Sequence, residues 1–419
     1  MSNVIKLPKG TKDCLPEDSY IWEYIEKFLR DKSKLYGLKE IRTPIFEYTE
    51  LFLRGVGETT DIVQKEMYTF NDKGNRSITL KAEGTAPTIR AFIEHGLHAQ
   101  SLPIKLFYIT PVFRYENVQK GRLRQHHQYG VELFGSESPV CDAELIKIAY
   151  SIYNELGVSD NVVHINSLGC KKCRPKYNDE IKSFLHNSSE KLCNICRERL
   201  DKNPLRILDC KNENCKNVLL DAPSIIDFIC GECSDHFNEL KVYLNELNIN
   251  FKENYHIVRG LDYYTRTVFE IIDNQGFTLC GGGRYDNLVE QLGGKNMPAV
   301  GFGMGIERLI LSLNNNNITL TEQKVLDLFI VTCDKKYIVN SLKLCNELRD
   351  LGISCDVDCL DRSLKSQMKY ADRIKSKNVI VIGEDEINNK SLNIKNMVSG
   401  EITKVLYDAE KIKQNLESK

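Results

Sequence analysis

The hydrophobic and polar positions change period along the chain, and each change marks an element. From Pro16 to Gly37 the apolar residues Ile21, Ile25, Phe28 and Leu29 recur at helical spacing, with Pro16 in the first turn, acids at Glu17 and Asp18, and Gly37 as a stop. LKEIRTPIFEYTELF then reads as a strand interrupted by Pro44, a residue confined to sheet edges. ITLKAEGTAPTIRAF passes from strand to helix between Glu83 and Pro87, with Thr85 as the expected N-cap. LFYITPVFRYE and QHHQYGVELF flank a polar, glycine-containing loop, as an antiparallel hairpin requires. Residues 141–169 read as a helix followed by the strand NVVHINSL, and YHIVRGLDYYTRTVFEII as two apolar strand-like runs about a polar turn. After the Asn-rich linker LNNNNITLTEQK, strands VLDLFIVTC, ISCDVDCL and NVIVIGEDE alternate with helices ending at Leu351 and spanning Leu364 to Ile374. That alternation predicts a small α/β domain with a mostly parallel sheet over 325–419, following a larger domain over 1–324.

Length agrees with more than one domain, since 419 residues exceed what one hydrophobic core covers. The balance of 42% hydrophobic and 27% charged residues describes a soluble globular chain, and no run approaches the roughly 18 apolar residues of a membrane helix. No signal peptide is legible at the N-terminus, so a cytoplasmic protein without membrane contact is expected. A net charge of -1 gives no global sign of nucleic-acid binding, so any RNA contact must come from local basic patches. In a reducing compartment the 15 cysteines read as free thiols or metal ligands rather than disulfides.

The chemistry concentrates in four places. Period-two alternation in the hairpin sets Phe113, Tyr115, Tyr129, Val131 and Leu133 on one face and Arg114, Glu116, His126, Gln128 and Glu132 on the other. Gly130 on that polar face suits a ligand approaching closely, and Lys120, Arg122 and Arg124 in the loop suit phosphate. Consecutive glycines 281–283 and the run GFGMGIER would also admit close backbone approach; the latter fails the dinucleotide fingerprint in both frames, because Ile306 or Arg308 falls at the third glycine. Arg362, Lys365, Lys369, Arg373, Lys375 and Lys377 form a basic stretch in the last domain. Between residues 170 and 240 the composition shifts, with cysteine pairs Cys170/Cys173, Cys193/Cys196, Cys210/Cys215 and Cys230/Cys233. Such pairs suit two closed four-cysteine structural zinc sites, against the alternative of reduced thiols packed as small hydrophobes; spacing alone does not say which pairs combine.

The segment FRYENVQKGRLRQHHQYGVE resembles motif 2 of the class II aminoacyl-tRNA synthetases, and its wording is similar to the histidyl-tRNA synthetase family in particular. RGLDYYTR and CGGGRYDNL look like that family's signatures, GFGMGIER like class II motif 3, and the Pro16 helix with its proline-bearing strand like motif 1, a homodimer interface. The resemblance implies an α+β fold, with an antiparallel sheet flanked by helices and a C-terminal α/β anticodon-binding domain; the cysteine-rich stretch, which the resemblance does not cover, is expected to be a helical insertion. The resemblance also implies ATP-dependent activation of L-histidine to histidyl-adenylate, with Mg2+, and transfer to the 3′ end of tRNA(His). Arg259 and Arg114 would be catalytic, bracketing the α-phosphate and the carboxylate. Glu83, Thr85 and Gln128 would hold the backbone end of histidine, and Glu132 and Tyr264 its imidazole, with Tyr263 and Tyr285 beside them. Arg114, Glu116, His126, Gly303, Gly305 and Arg308 would bind ATP, with His126 standing where relatives usually carry Phe. Gln119, Lys120, Arg122 and Arg124 would meet the tRNA acceptor stem, while Asn117 replaces an Arg of many relatives. The insert would fold over the acceptor arm, its shape held by zinc. Two alternatives stay open: the paralogous regulatory subunit of ATP phosphoribosyltransferase, and a zinc-dependent RNA-binding protein with an inactive synthetase-like core.

Overall fold

A computed structural model describes residues 4–57, 60–320 and 325–418. The chain divides into two compact units, 1–321 and 322–419; the boundary expected after residue 324 lies outside the described residues.

In the first unit an eight-stranded sheet runs in the order Lys39–Glu40, Ile104–Phe113, Gln125–Phe134, Ala299–Gly305, Thr278–Arg284, Thr265–Asp273, Asn161–Ser167, Phe251–Glu253. The six central strands pair antiparallel, and only the two short edge strands join in parallel. The hairpin expected from alternation forms with Tyr108 opposite Gly130 and Thr110 opposite Gln128. Its apolar face, with Tyr129, Val131 and Leu133, packs into one core with Leu145, Ile148 and Tyr153 of the helix Pro139–Glu155. The other face points away from that core; His126 and Gln128 bound the cleft described below, and Glu132 lies buried behind it.

The helix Pro16–Leu35 forms as expected. The long strand after it does not: it splits into Lys39–Glu40 and Phe46–Tyr48, and the TELF portion opens the helix Thr49–Val56 instead. Pro44 has no N–H for a ladder and separates the two pieces, which join different sheets. The helix at Thr85–Glu94 begins one residue before the expectation, because Gly84 is the N-cap and Thr85 is already helical. YHIVRGLDYY is not a strand; pairing begins only at Thr265.

The insert is a string of short helices from Arg174 to Glu246. It does not build a core of its own. Tyr177, Ile207, Leu208 and Leu219 share one apolar cluster with Tyr263, Tyr264 and Tyr285, while Phe237, Leu240 and Leu244 join the main core.

The second unit holds a five-stranded sheet in the order Cys355–Val357, Leu328–Thr332, Asn378–Ile382, Ser391–Asn396, Ile402–Leu406. The first three strands are parallel and the last two antiparallel, so the sheet is mixed rather than mostly parallel.

Candidate active site

A cleft of ≈ 330 Å³ opens over the polar face of the hairpin. Thirteen of the expected residues line it: Glu83, Thr85, Arg114, Glu116, Arg122, His126, Gln128, Arg259, Tyr263, Tyr264, Gly303, Gly305 and Arg308.

At one end the helix Thr85–Glu94 presents its N-terminus, and the Glu83 carboxylate accepts from the backbone N–H of Thr85 and Ala86, each at 2.7 Å. Glu83 thus does the capping assigned to Thr85, whose hydroxyl donates to Glu132 at 2.7 Å. Burial raises the Glu83 pKa, and the two N–H donors oppose that rise. Gln128 accepts from the Gly84 N–H at 3.0 Å.

Glu132 and Tyr285 sit behind this wall, not on it. Glu132 is fully buried and takes hydrogen bonds from Thr85, Tyr108 and Tyr285. Burial pushes its pKa up to about 8 against the pull of those hydroxyls. Tyr108 has no sequence pattern to single it out. Its ring lies beneath Gly84 and Gly130, where an added Cβ would come within 2.2 Å of Tyr108 carbons. Gly130 therefore makes room for a tyrosine, correcting the expectation that it faces a ligand. The glycine-rich strand behaves similarly: a Cβ on Gly301 would stand 1.8 Å from Glu132 Oε2, and one on Gly303 2.1 Å from Gln128 Nε2. Those glycines let two functional side chains lie flat across the neighbouring strand. Gly305 meets only the Arg308 stem and otherwise faces open space, so it alone of the three keeps the expected room for a ligand.

Five guanidinium groups, those of Arg114, Arg122, Arg206, Arg259 and Arg308, line the cleft. Arg114 Nε donates to Ala82 O at 2.8 Å. Arg308 bridges Gly121 O at 3.1 Å and Thr278 O at 3.0 Å, fastening the hairpin loop to the sheet. Arg259 pairs with Glu270, a residue that sequence reasoning missed because it lies on an ordinary-looking strand. Burial works against the Arg259 charge, but Glu270, Tyr264 and Cys280 together outweigh it, so its pKa is raised. Its buried Nε has no hydrogen-bond partner among the described residues. His126 is driven the other way, to about 3, by burial and then by Arg114 and Arg308, so its imidazole is a neutral aromatic ring.

Of the residues expected at tRNA, only Arg122 lines the cleft. Gln119 bridges to Arg122, Lys120 donates to Asn315 at 3.3 Å, and Arg124 stacks 3.7 Å over the Tyr115 ring with its stem against Gly10. Arg124 acts here as a strut of the loop. In the second unit Lys365, Lys369, Arg373 and Lys375 are exposed and take part in none of the ion pairs among the described residues, whereas Arg362 pairs with Asp358 and Lys377 with Asp327.

The eight insert cysteines gather into two groups, Cys170/Cys173/Cys230/Cys233 and Cys193/Cys196/Cys210/Cys215, with all sulfurs of a group within 4.8 Å of one another. S···S separations of 3.6, 3.8 and 3.9 Å in the first group and 3.9 Å in the second match the edge of about 3.8 Å expected for a tetrahedron with 2.3 Å Zn–S bonds. The donor set and its spacing therefore fit zinc. The pairs combine as first with fourth and second with third.

A central antiparallel sheet that carries an arginine-lined cleft beside a glycine-rich strand, followed by an anticodon-binding domain matched over residues 327–416, defines a class II aminoacyl-tRNA synthetase. The histidyl-tRNA synthetase family model matches residues 10–309, and the chain belongs to that family. It is 56% identical to a histidine–tRNA ligase of Clostridium novyi and 55% identical to one of Clostridium botulinum, each over 95% of both chains. The crystal structure of apo Staphylococcus aureus histidyl-tRNA synthetase is 41% identical and superimposes with a TM-score of 0.84, covering 98% of this chain and 99% of that one.

Proposed function

We propose that this cleft joins histidine to ATP and then to tRNA(His), the histidine–tRNA ligase activity of the family to which the chain belongs. The histidine carboxylate attacks the α-phosphorus of ATP, pyrophosphate leaves, and the terminal adenosine hydroxyl of tRNA then displaces AMP from the adenylate. Phosphoryl chemistry of this kind needs charge neutralisation and alignment more than proton transfer. Arg114 and Arg259 supply it at the α-phosphate, and Arg308 at the nucleotide. The convergence of Arg114, Arg259 and Arg308 on one cleft is the observation that carries this reading. Glu116, an oxygen donor on the same wall, would hold Mg2+, which supplies further neutralisation of the phosphates. Neutral His126 offers a stacking face to adenine.

Glu83, at a helix N-terminus, and Gln128 take the histidine ammonium end, with Tyr263 and Tyr264 along the side chain. Glu132 acts from behind the wall, fixing the hydroxyls of Thr85, Tyr108 and Tyr285 and with them the shape of the pocket that takes the imidazole. A pocket built on hydrogen bonds rejects analogues that lack the matching groups. ATP–pyrophosphate exchange across an amino-acid panel tests the assignment: exchange is expected with histidine alone, and exchange with another amino acid, or with none, would overturn it.

The hairpin loop and the exposed lysine–arginine stripe of the second unit meet tRNA(His). Zinc occupies the two four-cysteine groups and holds the insert, which folds over the acceptor arm. The protein works in the cytoplasm, consistent with reduced thiols and with the absence, among the described residues, of a helix long and apolar enough to cross a membrane. It acts as a homodimer, supported by the exposed apolar side chains of Leu35, Phe46, Tyr48 and Phe70 near the motif 1 elements.

A further inference from the structure

Residues 255–264 carry Arg259, Tyr263 and Tyr264, yet they form no strand or helix. Side chains from elsewhere must hold them in place. Three come from the cysteine-rich insert. Arg206 donates to Gly260 O at 2.5 Å and to Asp262 Oδ1 at 3.1 Å, Asn203 donates to the same Oδ1 at 3.1 Å, and Arg174 donates to Tyr264 O at 2.5 Å. A charged donor on a backbone carbonyl makes one of the stronger hydrogen bonds available.

Each arginine is rooted at a different cysteine group. Arg174 follows Cys173 and opens the helix Arg174–His186. Arg206 lies in the turn Pro204–Asp209, which ends on Cys210. The insert also shares its apolar cluster with Tyr263 and Tyr264, so any loosening of the insert is felt directly at the amino-acid pocket. Four thiols have only weak S–H donors to hold such chain ends together, whereas a metal site contributes folding free energy of its own.

We propose that the metal state of the two four-cysteine groups sets the position of residues 259–264, with Arg174 and Arg206 as the positioning residues, so that zinc in the insert governs histidine activation and not only tRNA contact. This inference rests on the zinc reading given under the proposed function. Displacing Arg259 and the two tyrosines by an ångström is enough to impair a reaction that depends on alignment. ATP contacts made by His126 and Arg308 lie on other elements and should be spared.

The test uses the full chain. Elemental analysis of protein purified without chelators is expected to find about two zinc ions per chain, one for each four-cysteine group; metal-free protein would overturn both the zinc reading and this inference. With zinc present, chelation under reducing conditions is expected to weaken histidine binding in equilibrium dialysis about tenfold and to speed amide hydrogen exchange across 257–264. Arg206→Ala, with its zinc content retained, is expected to lower kcat/KM for histidine in pyrophosphate exchange about tenfold while KM for ATP changes much less, since of the ATP contacts only Arg259 is displaced, and Arg206→Lys to restore part of the loss. Zinc-bearing protein whose histidine affinity and exchange pattern survive chelation would overturn the inference and leave the zinc sites standing. Equal loss of histidine and ATP affinity in Arg206→Ala would overturn it as well, since that is the signature of general destabilisation.

Discussion

The Arg259 guanidinium lies flat against Gly281, so that a Cβ added there would stand 2.4 Å from its Cζ. Gly281 is also the pairing partner of Glu270, the carboxylate that fixes Arg259, so one backbone position sets both the space and the counter-charge for the residue assigned to the α-phosphate.

Gly281→Ala is therefore expected to push Arg259 out of line and to lower kcat in ATP–pyrophosphate exchange by about a hundredfold, approaching Arg259→Ala. Binding of tRNA, measured by filter retention, should be unaffected in both. A Gly281→Ala enzyme with normal kcat would contradict the role given to Arg259.

His126 is held neutral by burial and by its cationic neighbours, with a pKa lowered from 6.5 to about 3. Between those values the unfolded chain binds a proton that the folded chain refuses, so this residue makes the protein less stable as pH falls through 6.5. Relative to His126→Phe, the wild type should lose melting temperature steadily from pH 7 to pH 4. The same neutrality predicts a KM for ATP that does not change between pH 5.5 and 8. His126→Phe should preserve that KM and His126→Ala should raise it about tenfold, the scale of a lost stacking contact.

For Glu132 the sign is reversed. Its folded pKa is raised from 4.5 to about 8, so the folded chain holds a proton that the unfolded chain releases. The stability this contributes is complete below pH 4.5 and is lost as pH rises through 8. Glu132→Gln, which cannot ionise, should gain melting temperature relative to wild type between pH 6 and 9. It should also raise KM for histidine, because Gln offers one acceptor oxygen where Thr85, Tyr108 and Tyr285 share two. Parallel pH profiles for the two proteins would refute the buried, protonated carboxyl.

Arg284 and Asp142 are fully buried and paired, and the guanidinium also reaches Ser136 O at 2.9 Å and Ser138 O at 2.7 Å. Removing one partner leaves an uncompensated buried charge, so Arg284→Ala is expected to cost about 3–5 kcal/mol in urea unfolding. Asp142→Asn with Arg284→Met together should cost less than either charge-stranding change alone.

Ending the chain before Val325 removes the second compact unit. Histidine-dependent pyrophosphate exchange should survive, while charging of tRNA(His) should fall sharply. Loss of both activities in parallel would contradict a division of labour between the units.

Much of this protein was legible along the chain because it depends on local order. Alternation in QHHQYGVELF assigned His126, Gln128 and Glu132 to one face, and the close spacing of the cysteine pairs marked the thiols that gather in two groups of four, since period and spacing are set by strand and turn geometry within a few residues. The split of the strand around Pro44 was half legible: the missing N–H was evident, but which sheet took each piece was not. What only the tertiary structure decided are relationships between distant positions. Glu132 meets Thr85 across 47 residues and Tyr285 across 153, and burial, which no pattern encodes, puts this expected contact residue behind the pocket wall. Gly130, Gly301 and Gly303 looked like ligand cradles and proved to be clearances for Tyr108, Glu132 and Gln128. The cysteine pairs left several combinations open, because spacing constrains two thiolates and not four; folding joins the outermost pairs, which brings the ends of the insert together and hangs the Arg259 segment from it.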